Sequence, residues 1–173
     1  MSNREALRDL QSRLAQRMQA VRAEKQGESW LAVDCAGHGV LFALKAAGEI
    51  FGVSNIQPVP RTRDWFMGVS NLRGGLHAVI DLGAFLGIRR PGQAIGEQAR
   101  LVALNALLGV NCALLVDRLE GLRRAEDLIR EAGDQASRPS FARSRWTDRT
   151  GRVWQEIGLA ELAAHEQFLT IAE

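Results

Sequence analysis

Apolar and polar residues alternate along 76–82: Leu76, Ala78, Ile80 and Leu82 fall on one side, His77, Val79 and Asp81 on the other. That period of two predicts a strand. Runs at 30–35 and 40–44 predict two more strands, turned through Gly37-His38-Gly39, where glycine supplies the positive φ of a tight hairpin. A short strand over 48–53 carries Glu49. Pro58 and Pro60 then remove ladder donors, which makes 55–63 a loop or an edge. The cluster Trp65-Phe66-Met67 reads as core or lid. Stretches 100–108 and 112–119 read as two apolar strands joined through Gly109.

Helical periods are fewer. Leu7, Leu10, Leu14, Met18 and Val21 recur every three or four residues, and Ser2 with Glu5 forms a capping box, so 1–27 is predicted as an amphipathic helix. It either packs on its own domain or serves as a partner-binding or dimerising helix. A helical turn is predicted at 83–88, a short helix at 123–132 and a final helix at 159–171, with a polar loop over 133–145 and a hairpin turn at 147–151 leading to a strand at 152–157. Many short strands with turn signals and few helices predict a mostly β, barrel-type architecture rather than a doubly wound sheet.

Composition narrows the function class. The 173 residues suffice for one ordinary domain or two small lobes, and the formal net charge is only +2. Cys35 and Cys112 stand in separate apolar runs without a C-x-x-C spacing, so both are expected to be buried, reduced thiols. The glycines of 68–75 lack the Lys-Ser/Thr of a phosphate-binding loop, and no nucleophile elbow occurs. His38, His77 and His165 lie in different elements without metal-ligand spacing. No catalysis, metal or cofactor is expected. The apolar run 101–116 is shorter than the ~20 residues of a bilayer span, and the charged amino terminus has no apolar signal region, so no membrane insertion is expected. Arg138, Arg143, Arg145, Arg149 and Arg152, interleaved with Phe141, Trp146 and Trp154, offer an alternative: a small β-barrel that binds nucleic acid, diluted there by Asp134, Asp148 and Glu156.

One stretch concentrates the remaining information. Gly68, Gly74 and Gly75 shape a loop that feeds the 76–82 strand and carries Arg73, whose five donors and permanent charge suit an internal carboxylate or a partner. Asn71-Leu72-Arg73-Gly74 followed by Val79-Ile80-Asp81-Leu82 resembles the signature of CheW-type adaptors, which couple chemoreceptors to a histidine kinase. Gly48-Glu49-Ile50, Pro58-Val59-Pro60, and Leu114-Leu115-Val116-Asp117 followed by Gly121 occur in the same order as in that family. Trp65 and the tail His165-Glu166-Gln167-Phe168-Leu169 resemble its type IV pilus branch, PilI. Ala78 in place of a family proline, Ala113 in place of a glycine and Glu156-Ile157-Gly158-Leu159 in place of a Leu-Asp pair depart from the flagellar pattern and favour the pilus-type branch.

The resemblance implies two small β-barrels packed side by side around a shared apolar seam, within a domain over 28–173 that follows the 1–27 extension. The proline, glycines and charge of 89–96 read as an exposed connector at the lobe boundary, so the first lobe would span about 30–88, the connector 89–99 and the second lobe about 100–160, before the carboxy-terminal helix. One barrel would dock on the regulatory domain of a CheA-like kinase, and the groove between barrels would receive the cytoplasmic tip of a chemoreceptor. The protein would then be cytoplasmic, recruited to membrane receptor arrays. The binding residues implied are Glu49, Gly68, Asn71, Arg73, Gly74, Asp117 and Gly121, with Glu49 as the expected partner of Arg73.

Overall fold

Four strands are apolar on both faces, which marks them as central and sandwiched between two cores. They are β1 (Ser29–Cys35), β2 (His38–Ala43), β6 (Arg100–Leu104) and β7 (Cys112–Val116), and each is almost entirely buried. The computed structural model describes residues 13, 27–90, 92–133 and 137–173. The helix expected over 1–27 lies, but for Arg13 and Gly27, outside the described residues.

The chain is mostly β, as its patterning predicts, in two sheets. The first has the order β8-β1-β2-β11-β10-β9, with β8 at Arg118–Arg124, β9 at Leu128–Arg130, β10 at Ala142–Asp148 and β11 at Val153–Ile157. Its edge strands β8 and β9 are joined by the single 3-10 turn Ala125–Asp127, which forces the sheet to curl into a half-barrel. The short helix expected over 123–132 is therefore strand, turn and strand. The second sheet is open along its ladder, in the order β3-β6-β7-β5-β4, with β3 at Ala47–Gly52, β4 at Phe66–Leu72 and β5 at Gly75–Asp81.

The sheets do not divide the chain at the expected connector. A parallel pairing of β2 with β11 recruits the amino-terminal hairpin into the first sheet, so each sheet draws on strands from both sides of 89–99. The chain crosses from one sheet to the other at 44–46 and at Asp117, between β7 and β8.

Three apolar clusters fill the layers. Trp30, Leu41, Leu128 and Trp154 fill the half-barrel, while Leu72, Val79, Leu101 and Leu115 line the far face of the second sheet. Between the sheets lies the largest cluster, built from residues such as Phe42, Ile80, Val102, Leu114 and Ile157. The final helix predicted over 159–171 is two shorter ones, α2 (Leu159–Ala163) and α3 (Glu166–Leu169), following α1 (Leu82–Phe85). Leu162 and Phe168 from α2 and α3 close the central cluster. The first hairpin turns at Ala36-Gly37, one residue earlier than its glycines suggested, with both residues at positive φ.

Candidate functional site

The β4–β5 hairpin pairs Leu72 with Gly75, leaving Arg73-Gly74 as a two-residue loop. Their φ angles are +52° and +81°, the positive values of a type I′ turn, whose twist matches the flanking strands. Gly74 adopts this freely, but an arginine in the left-handed region carries backbone strain. Asn71 offsets part of it: its Oδ1 accepts a hydrogen bond from the Gly74 N–H at 2.9 Å.

The turn holds the Arg73 guanidinium against Glu49, with Nη2 2.6 Å from Oε1, as expected from the sequence. Glu49 lies on β3 and Arg73 on the hairpin at the opposite edge of the sheet, so the pair ties one edge to the other. Residues 53–60 lie along β4 in support: Gln57 exchanges two backbone hydrogen bonds with Val69, and the Ser70 hydroxyl donates to the Ser54 carbonyl at 3.2 Å. The pair is open to solvent, with side chains 77% and 42% exposed. Leu76, opposite Asn71 in the ladder, adds an exposed apolar side chain beside the charges. Permanent charge and an exposed leucine thus stand side by side on the surface of this hairpin.

Four of the seven implied residues, Glu49, Asn71, Arg73 and Gly74, thus converge at the hairpin. Gly68 is buried: its φ is +133°, and a Cβ there would stand 2.0 Å from the Gln57 carbonyl, so it admits the 53–60 segment against β4. Gly121, with φ +89°, serves the bulge where β8 slips against β1 between Ala32 and Val33.

Asp117 stands apart from the hairpin. Strand β7 runs parallel to β5, with Asp81 opposite Leu115, so Asp117 lies near the far end of β5, roughly 20 Å along the strand from the turn. Arg89 meets it there. The Arg89 Nη1 and Nη2 donate to the two Asp117 carboxylate oxygens at 2.9 and 2.7 Å, and its Nε donates to Asp81 Oδ1 at 3.0 Å. The connector is exposed at 90 and 92–98 as expected, but Arg89 at its start is not: its side chain is only 4% exposed, because two carboxylates at strand ends recruit it inward. Burial, the largest influence on its pKa, works against the charge, but the bonds to Asp117 and Asp81 outweigh it and raise the pKa.

Sequence reasoning missed Arg89. The available signal was two acids at strand ends, Asp81 closing β5 and Asp117 directly following the doubly buried β7, since buried acids need a cation. The network continues outward: Ala36 N–H donates to Asp117 at 2.7 Å, and Asp34 and Glu120 both accept from Arg152, at 2.8 and 3.2 Å. Cys35, buried close by, has its thiol pKa pushed far up by desolvation and by Asp117. Cys112 is pushed up to about 12 by burial alone.

Most of the arginine stretch weighed for nucleic acid lies in the β10–β11 hairpin, with Arg138 and Phe141 just before it. Phe141 and Trp154 are buried, and Trp146 tilts against Trp30 at 5.0 Å while donating its Nε1–H to Glu156. Arg143 pairs with Glu161 and Glu156, and Arg152 lies over the Trp154 ring at 4.4 Å. Rings turned inward present no stacking platform for bases. Among the described residues no group of three or more His, Cys, Asp or Glu side chains is placed to hold a metal ion, and no helix is long and apolar enough to cross a membrane.

Comparison with known proteins agrees with this geometry. No match to the chain was found among curated proteins. Among solved structures it is similar to the scaffolding protein TtCheW from Thermoanaerobacter tengcongensis, at 19% identity and a TM-score of 0.63, over 76% of this chain and 84% of that one. At that identity the likeness shows a shared fold. The model of the CheW-like domain matches residues 29–167, which span both sheets, the Arg73 hairpin and the Asp117 crossing, and the chain therefore belongs to the CheW-like domain family.

Proposed function

We propose that this protein is a non-catalytic adaptor that links the cytoplasmic tip of a chemoreceptor to the regulatory domain of a CheA-like histidine kinase, in the cytoplasm at membrane receptor arrays. The observation that carries this reading is the exposed Arg73–Glu49 pair, held at 2.6 Å on a turn that puts an arginine at a positive-φ position where asparagine, aspartate or glycine is favoured. Strain kept at an exposed, rigid, charged position is characteristic of binding sites. Glu49, Asn71, Arg73 and Gly74 face the receptor tip in this proposal; Gly68 seats the 53–60 segment that supports them, while Asp117 and Gly121 serve the crossing between the sheets and the β8 bulge. The kinase domain takes a separate surface on one lobe. The adaptor acts by position: a receptor conformation that binds it more tightly shifts the kinase by that difference in free energy.

The pilus-type branch, and with it control of twitching motility, is favoured by two features that touch. The Trp65 ring stacks with Phe168 of the tail, their centroids 6.3 Å apart and planes 4° apart, and Phe85 packs edge-on against both. The test is affinity measurement of wild type and Arg73→Ala against a receptor-tip hairpin and against the kinase regulatory domain. A selective loss of receptor binding supports the reading; equal loss of both, or binding to neither by wild type, sinks it.

A further inference from the structure

The two sheets share no ladder pairing among the described residues, so directional bonds between them concentrate at the two chain crossings; at 44–46, Leu44 N–H donates to the Ser29 carbonyl and Asn105 donates to the Ala46 and Lys45 carbonyls. The cluster between them is apolar, and apolar contact is non-directional. Of the two covalent crossings, the one at Asp117 is a single residue, held from three sides. Its N–H donates to the Asp34 carbonyl at 2.9 Å, its carboxylate accepts from the Ala36 N–H in the first-sheet hairpin turn, and Arg89 grips both its oxygens. Arg89 is itself anchored to the second sheet. Its Nε bonds Asp81 at the end of β5, its backbone N–H donates to the Gly83 carbonyl at 3.0 Å, and a Cβ at Gly83 would press on its side chain at 3.2 Å. Forked arginine–carboxylate bonds are directional as well as strong.

We infer that Arg89 is a positioning residue that pins the Asp117 crossing and so sets the angle between the two sheets. Resting on the adaptor reading above, this angle shapes the receptor groove between lobes and couples it to the kinase surface on one of them. Truncating Arg89 would leave two buried carboxylates without a cation, so the test uses variants that keep either the cation or the shape. Conservative variants therefore suffice: Arg89→Lys keeps the cation and Asp117→Asn keeps the shape.

The experiment measures the distance distribution between spin labels on the turn joining β6 to β7 of the second sheet (Leu107→Cys, 92% exposed) and on β9 of the first (Ile129→Cys, 70% exposed) in the full chain. Buried Cys35 and Cys112 are left unlabelled. Wild type should give one narrow distribution, and Arg89→Lys and Asp117→Asn should each broaden or shift it while cooperative melting persists. An unchanged distribution in both folded variants overturns the inference. This arm needs no partner, so it stands or falls independently of the adaptor reading. Where both partners bind, the change in receptor-tip affinity produced by saturating kinase domain should fall toward onefold in Arg89→Lys, with each separate affinity kept within about twofold. Retention of the wild-type coupling, or loss of both separate affinities, overturns the link from angle to coupling.

Discussion

Arg73 and Arg89 stand near opposite ends of the same strand, β5, and show what burial does to one chemical group. Arg73 is 77% exposed and touches one carboxylate, whereas Arg89 is 4% exposed and is held by two. The exposed ion pair sits in high dielectric, is screened by salt, and contributes at most ~1 kcal/mol. A buried pair costs several kcal/mol to desolvate, so its members are strongly bound to one another and leave two uncompensated charges if separated. Arg73 can exchange its partner for another protein's carboxylate with little effect on the fold. Arg89 cannot. Availability for binding and importance for folding are divided between two arginines of the same sheet.

The sharpest break of this comparison is removal of each guanidinium in turn. Arg89→Ala leaves Asp81 and Asp117 without their cation and should destabilise the domain by about 3–5 kcal/mol, lowering the melting temperature by roughly 10 °C or more. A loss below 1 kcal/mol in denaturant titration would mean that the junction is wet and the contrast false. Arg73→Ala should instead cost ~2 kcal/mol or more of receptor-tip affinity, about thirtyfold, with little change in melting. Calorimetric titration on the same preparation used for the melt reads both effects.

Acid probes a third hairpin, intermediate between the two. Asp148 accepts from the Thr150 hydroxyl and also from the Trp154 indole, and these bonds pull its pKa down to about 2. A carboxylate with a depressed folded pKa contributes stability above its unfolded value near 4 and loses it as pH falls toward 2. Because this turn is partly exposed, the loss should be on the order of 1 kcal/mol. Comparing wild type with Asp148→Asn by urea titration at pH 6 and pH 2.5 isolates it; a difference that does not shrink in acid contradicts the assignment.

The smallest effects sharpen the description of Arg73. A double-mutant cycle of Glu49→Ala with Arg73→Ala should give a coupling of about 0.2–1 kcal/mol that fades in 1 M salt. Arg73→Asn should leave the melting temperature unchanged or slightly raised, because asparagine tolerates positive φ better than arginine and the lost ion pair is weak. A marked fall in melting would show that the pair stabilises the sheet edges more than its exposure implies.

The strand content, both buried thiols and the meeting of Arg73 with Glu49 were legible in the chain itself, because they rest on local period, on residue chemistry and on a motif that keeps its residues in order. The I′ hairpin was half legible: Gly74 announced a turn, but nothing local requires an arginine at positive φ beside it. The helix expected over 123–132 is instead strand, 3-10 turn and edge strand, because in so short a segment pairing with β1 and β10 outweighs local preference. What the sequence determined alone was therefore a mostly β chain with one shaped, charged loop. Tertiary structure decided the rest. The β2–β11 and β5–β7 pairings join residues far apart in the chain, and only after they form do Asp81, Asp117 and Arg89 come together. An arginine among prolines and glycines looks solvated because local sequence favours water; two strand-end carboxylates in a low-dielectric interior reverse that preference, and no window along the chain contains all three.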